Sequence, residues 1–502
     1  MDNEKLRAIA RDAMLQRGLQ PEFGSAAQRQ LDTIDHAAVA QDASIRDLRD
    51  LPWCSIDNDD SRDLDQLSVC LPLQGGAPGS VRILVAIADV DSLLAVDSPI
   101  DRRARHNTTS VYTAAGVFPM LPEKLSTDLT SLNEGVERLA IVVDMAVDAD
   151  GVVAPLAGAL SKGSNGSNGS AVYRARVLNR AQLAYNAVAA WLDADTAAPP
   201  KVAALPGLDE QLRVQDRVAQ AMKRQRHARG ALSLATSETR PVYSDGVLTD
   251  LRPDIGNRAK ELIANLMIAA NGVTARWLEQ HRLPSLRRML RTPARWDRIV
   301  ALAAQVGETL PDVANAAALD AFLAKRRAVD PARFADLSLS IVKLLGSGEY
   351  MLSVPGRSTP GHFGLAVNDY THSTAPNRRF PDLVTQRLLK AALDGGAMPY
   401  AESDLEALAA HCTQQEDNAA KVERQVRKSA AALLLADRIG QRFDALVTGA
   451  SAKGTWVRIN HPNVEGRVVR GFEGLDVGEK LRIELLGVDA ERGHIDFARA
   501  GN

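Results

Sequence analysis

Apolar positions along this chain change their period from helical to strand-like, back to helical, and finally to strand-like again. Leu6, Ile9, Ala10, Ala13 and Met14 recur at helical spacing before a Gly18 stop. Further helical stretches are expected through Ile34 and Val39 and through Ile45 and Leu48. Residues 1–50 therefore read as a small helical domain, of the size of a helix-turn-helix unit or a plain helical cap. After Pro52 the pattern turns strand-like: 81–90 and 138–147 are apolar, β-branched runs of the kind a sheet buries. From Arg176 helical spacing returns, at 214–228, 259–280, 334–345 and 383–393. A long charged helix over 414–440 then carries Val422, Val426, Ala430 and Leu433 on one face. Five short strands punctuated by glycine follow, at 443–450, 455–459, 466–469, 480–488 and 495–497, and predict an OB barrel. The expected fold is α+β: a small helical N-terminal domain (1–50), a large mixed α/β domain (51–440) and an all-β barrel (441–502).

Composition narrows the class. A length of 502 residues with 45% hydrophobic positions suits several globular cores. Cys54, Cys70 and Cys412 are an odd number without paired spacing, so neither a disulfide framework nor a zinc knuckle is indicated. The start of the chain is charged, and no run approaches the length of a membrane span. A cytoplasmic protein without membrane contact is expected. A net charge of −2 neither selects nor excludes a nucleic-acid partner, because acidic and basic patches cancel in the sum. The Gly-Ser-Asn stretch at 161–170 has linker composition and receives no function.

The chemistry concentrates in Ser55–Val69, where Asp57, Asp59, Asp60, Asp63 and Asp65 fall within nine residues. In an extended chain Asp63 and Asp65 share one face, and the preceding loop can bring Asp57 over them. Two carboxylates about 6 Å apart repel by roughly 3 kcal/mol at an effective dielectric of about 20. A hard divalent cation, magnesium or manganese, relieves that repulsion; with no Cys or His in the motif, zinc is disfavoured. A calcium loop starting at Asp57 fails, because Arg62 and Ser68 stand where it needs Gly and Glu. A solvated acidic turn is the alternative.

Basic groups lie elsewhere. Lys223, Arg224, Arg226, His227 and Arg229 read either as a solvated helix face or as a phosphate track. Arg378 and Arg379 sit in a turn between two prolines, where guanidinium forks can meet phosphate. In the barrel, Lys453, Trp456, Arg458 and His461 offer stacking and charge for a single strand, with Trp456 as a barrel-core residue the competing reading.

The order of the motifs resembles the ribonuclease II and ribonuclease R exoribonucleases, whose RNB catalytic domain is followed by an S1-type domain. The landmarks are Ile56-Asp57 with Arg62-Asp63-Leu64-Asp65, then 85–90, Thr109-Ser110-Val111-Tyr112 and Pro119-Met120-Leu121-Pro122. Arg229-Gly230-Ala231-Leu232, 267–271, Gly361-His362-Phe363-Gly364-Leu365-Ala366 and Arg378-Arg379-Phe380-Pro381-Asp382-Leu383 complete the series. The resemblance implies magnesium-dependent, stepwise hydrolysis of single-stranded RNA from its 3′ end, with manganese as a substitute cation. It implies metal ligation by Asp57, Asp63 and Asp65, with Gln66 beside them, and catalytic roles for Asp65 and Arg378. It also implies RNA contact by Tyr112, His362, Phe363, Arg378 and Arg379.

Three departures from the family pattern stand out. Gln66 replaces a fourth aspartate, Leu234 an aromatic base clamp, and Ala264-Asn265 a glutamate pair. Three carboxylates and a phosphate already balance two magnesium ions, so a neutral amide at 66 is compatible with turnover. An RNA-binding protein weakened in catalysis by Gln66 is the alternative. The first 50 residues are also short for paired cold-shock domains, from which a more open RNA entrance is expected.

Overall fold

The computed structural model describes residues 2–39, 42–157, 169–194, 197–235, 239–244, 247–357, 359–451 and 454–501. Lys453 and most of the Gly-Ser-Asn stretch, 161–168, lie outside these residues. The α+β expectation holds. A seven-stranded sheet forms the centre, in the spatial order Arg46–Asp47, Ala171–Leu178, Glu137–Val147, Val81–Ala88, Gln66–Pro72, Cys54–Asp57 and Ala181–Ala184. The three middle strands are antiparallel neighbours in unbroken register, from Gln66 opposite Ile87 to Val81 opposite Val147. Their β-branched runs are buried almost throughout, Val85 and Val143 among them, each such side chain worth about 1.5–3 kcal/mol. Helices Leu208–Ala228, Arg258–Gln280 and Phe380–Leu393 pack into the same core.

The N-terminal expectation needs correction. Helix Asp2–Gln16 forms, and Ser25–Asp32 follows it, but Ile34–Val39 is loop. The helix expected through Ile45 and Leu48 is instead strand Arg46–Asp47, paired in parallel with Ala171–Leu178. The N–H of Leu48 donates to the Arg176 carbonyl at 3.0 Å. An open sheet edge offers this stretch backbone partners, and tertiary pairing overrides local helical spacing. Among the described residues no helix-turn-helix unit results. Leu6, Ala10 and Met14 bury against Val111, Phe118 and the Val422–Val426 stripe of the long helix Glu402–Leu435, so the first helix shares a core with the main body.

Helices Trp296–Gln305, Ala316–Val329 and Pro331–Leu345 close a smaller core around Trp296, Phe322 and Phe334. The last five strands make the expected closed barrel. Along Gly454–Asn460, Val457 and Ile459 point inward while Trp456 and Arg458 are only partly buried, so Trp456 is not the barrel's core residue. Among the described residues, no helix is long and apolar enough to cross a membrane.

Candidate active site

Leu64 anchors the acidic motif. Its side chain is fully buried, its N–H donates to Ser131 Oγ at 2.9 Å, and its carbonyl accepts from the Leu132 N–H at 3.0 Å. Ser131 Oγ also donates to the Arg62 carbonyl at 2.8 Å. The chain is thus extended through 61–65, just ahead of strand Gln66–Pro72, and alternation sets Asp63 and Asp65 opposite Leu64. Gln66 follows as the first, buried residue of that strand. Asp57 ends the neighbouring strand; its Oδ1 accepts from the Asn58 N–H and the Ser61 hydroxyl, both at 2.8 Å. Asp59 and Asp60 are exposed loop residues.

Residues 375–382 meet this motif from the far end of the sequence. The turn is held by main chain: the Ser110 N–H donates to the Arg378 carbonyl at 2.9 Å and the Phe380 N–H to the Thr108 carbonyl at 2.8 Å. Asp65, 1% exposed, accepts at Oδ1 from the Asn377 N–H at 2.9 Å and at Oδ2 from Arg378 Nε at 3.1 Å. The Tyr112 hydroxyl donates to Asp63 Oδ2 at 3.3 Å.

Electrostatics follow from this enclosure. Burial pushes Asp65 up to about 7, Arg378 opposing and Asp63 adding to the rise. Burial also raises Asp63; Arg378 opposes the rise and Asp57 adds to it. For Arg378 burial works against the charge, but Asp65, Tyr112, Asp63 and Asp57 outweigh it and hold its pKa above the ordinary value. Its side chain is nevertheless 42% exposed. A buried carboxylate holding an arginine by one edge, with further carboxylates and a tyrosine around it, is an arrangement suited to a phosphate under attack.

Residues 45–395 match the RNB domain, and 441–500 match the RNase II-type exonuclease C-terminal S1 domain. The chain belongs to the RNB family. It is 30% identical over 438 residues to ribonuclease R of Escherichia coli, covering 84% of this chain and 51% of that protein. Against ribonuclease R of Vibrio cholerae the identity is 30% over 490 residues, covering 90% and 56%. The chain thus spans about half the length of the curated relatives it matches. Among solved structures, Mycoplasma genitalium RNase R in complex with ribose methylated single-stranded RNA aligns with TM-score 0.83 at 22% identity, over 99% of this chain and 78% of that one. A yeast pseudonuclease shares the fold at TM-score 0.67 and 18% identity, over 92% of this chain and 55% of that one.

In this RNB protein the other singled-out residues divide sharply. Arg379 sits beside Arg378, yet its fork closes on Asp382, with Nε to Oδ2 at 2.9 Å and Nη2 to Oδ1 at 2.7 Å. Phe363 packs edge-on to Trp296 at 6.4 Å and supports the smaller helical core, which Leu234 also joins. His362 accepts the Leu365 N–H and is pushed down to about 4 by burial and by Arg288, so it is a neutral ring. Arg458 of the S1 barrel is held by both oxygens of Asp336, at 3.0 and 3.2 Å. His461 is exposed at a barrel turn.

Sequence reasoning missed Asn377, Tyr370 and His372. The centroid of Tyr370 lies 5.7 Å from His362 and 5.6 Å from His372, both nearly perpendicular. All three lie between the motifs 361–366 and 378–383, and of them Asn377 meets Asp65 through its main-chain N–H.

The RNB family implies a divalent cation, and the donor set fits a hard one. Among the described residues, Asp57 Oδ2 and Asp63 Oδ1 accept no side-chain hydrogen bond. Among the described residues, no three His, Cys, Asp or Glu side chains close into a cage.

Proposed function

We propose that the protein is a 3′-to-5′ exoribonuclease that hydrolyses single-stranded RNA stepwise to nucleoside 5′-monophosphates, using magnesium or, in its place, manganese. The observation that carries this reading is the Asp65–Arg378 pair: the carboxylate fixes the guanidinium from behind while 42% of the arginine side chain stays open. Arg378 is then preorganised where negative charge grows on the phosphate, and Asp65 keeps it there without reorganisation. Tyr112, 43% exposed and tethered to Asp63, offers its ring to the terminal base. Asp57, Asp63 and Asp65 would hold the cation, with Gln66 able to contribute only a neutral oxygen. When bound, that cation would activate a water and neutralise the leaving 3′ oxygen. Turnover of RNA in the cytoplasm is the setting this reading implies.

Progressive shortening of 5′-labelled single-stranded RNA with magnesium, absent in Asp65→Asn, is the expected result. Full-length RNA under every metal condition would sink the enzyme reading. Gln66 favours a second one, an RNA-binding RNB protein weakened in catalysis. Tight RNA binding without shortening, together with turnover gained by Gln66→Asp, is the outcome that would select it.

A further inference from the structure

Tyr112 is carried by a short hairpin, Val111–Thr113 paired with Gly116–Phe118. Alternation gives this hairpin two faces. The cross-strand partners Val111 and Phe118 are buried, whereas the next pair, Tyr112 and Val117, is 43% and 45% exposed. A two-stranded hairpin is marginal in water by itself, so the place of Tyr112 depends on what holds the buried face.

Three other parts of the chain hold it. Helix Asp2–Gln16 brings Ala10, Ala13 and Met14 into one core with Val111, Ala114 and Phe118. Arg7 of the same helix lays its guanidinium over the Phe118 ring, 5.4 Å from the centroid. From helix Glu402–Leu435, Val422 and Val426 join that core, and Glu423 Oε1 accepts the Tyr112 N–H at 2.9 Å. The third part is a second hairpin, Thr239–Ser244 paired with Val247–Pro253, whose register shifts between Val242 and Tyr243. Its Tyr243 hydroxyl donates to the carbonyl of Ala114, in the turn of the Tyr112 hairpin. Leu248, opposite Tyr243, is buried in the core beneath Tyr112, and three residues on Leu251 is buried in the core of the S1 barrel. The second hairpin is therefore anchored at both ends. Helix Asp2–Gln16 lies outside the RNB match at 45–395 and Tyr243 inside it, so the seat of Tyr112 joins the N-terminal segment to the RNB domain.

We propose that Tyr243 and helix Asp2–Gln16 are positioning elements for Tyr112, and that through it they set the shortest RNA the protein holds long enough to cut again. The inference rests on the exoribonuclease reading. Both act through the Tyr112 ring, whose hydroxyl reaches Asp63 at 3.3 Å. A long strand is gripped at many nucleotides, whereas on a short one the terminal stack is a large part of the grip. A ring left free to shift stacks less firmly. The short strand then leaves before its next cut, and shortening stops at a longer product.

The test compares wild type with Tyr243→Phe, which removes one hydroxyl, and Met14→Ala, which opens the core under the hairpin. Met14→Val serves if Met14→Ala does not fold. Phe322→Leu, in the separate smaller helical core, controls for lost stability alone. Long and short labelled oligoadenylates are shortened with magnesium, and hydrogen exchange at 111–118 is followed by mass spectrometry without RNA. Tyr243→Phe and the Met14 variant should exchange faster at 111–118 and leave final products at least one nucleotide longer. For Tyr243→Phe, KM for the short strand should rise about three- to tenfold, with kcat on the long strand close to wild type. Phe322→Leu should lower the melting temperature and leave product length unchanged; longer products there too would reduce the effect to lost stability and overturn the proposal. Wild-type exchange at 111–118, or wild-type product length, in Tyr243→Phe would also overturn it, and the same result confined to the Met14 variant would remove the helix from it. A wild type that leaves RNA full-length would strike the exoribonuclease reading instead. Hydrogen exchange would still decide the seat of Tyr112, faster in Tyr243→Phe upholding it and unchanged overturning it.

Discussion

The turn at 375–382 and the barrel strand Gly454–Asn460 each present an arginine in a sequence context that promises phosphate contact, and the fold treats them differently. Arg378 meets Asp65 through Nε alone and keeps 42% of its side chain open. Arg458 gives both terminal nitrogens to Asp336 on the helix Pro331–Leu345, and keeps only 20% open. A carboxylate behind one edge of a guanidinium aims it; a carboxylate across its whole fork consumes it. Arg379 repeats the second case one residue away from the first, since Asp382 takes its fork in the same turn. Neighbouring arginines in one motif are thus placed unlike each other, the first left open and the second fastening the turn to its helix.

The largest test of this contrast is Arg378→Ala, expected to lower kcat about 10³-fold with the melting temperature close to wild type. Steady-state shortening of labelled RNA checks it, and a variant within tenfold of wild type would break the contrast. Arg379→Ala should instead act on stability, because it strands the fully buried Asp382. A loss of about 3 kcal/mol in urea unfolding is expected, and unchanged unfolding would mean that the pair does not fasten the turn.

Asp65 supplies the pH dependence. Its folded pKa of about 7 lies above the ordinary 3.8, so between these values the folded chain holds a proton that the unfolded chain has released. Stability of the metal-free protein therefore falls as pH rises through that window. Magnesium affinity moves the opposite way, strengthening by up to about tenfold per unit as pH approaches 7 from below. Calorimetric titration at several pH values would show it, and flat affinity would detach Asp65 from the cation. The smallest effect is Asp336→Ala, which releases Arg458. RNA affinity should then rise a few-fold, about 1 kcal/mol or less, and a decrease would show that the tethered Arg458 already contacts RNA.

Much of this protein was readable without its fold. The buried runs around Val85 and Val143, the helical stripe of Val422 and Val426 and the short barrel strands carry their period in the order of side chains, and burial follows period. The spacing of Asp63 and Asp65 around Leu64 likewise gave their common face, because alternation is a property of extended backbone alone. Nothing local marked 45–48 as strand, since its partner lies more than a hundred residues away, in Ala171–Leu178. Which arginine of the pair 378–379 stays open, and why Arg458 does not, are matters of which carboxylate lies opposite each. Sequence determined the inventory of charges and the faces of the elements that carry them. Only the tertiary structure decided the pairings, because an ion pair is set by distance in space, and separations of 313 residues between Asp65 and Arg378 leave no trace in local order.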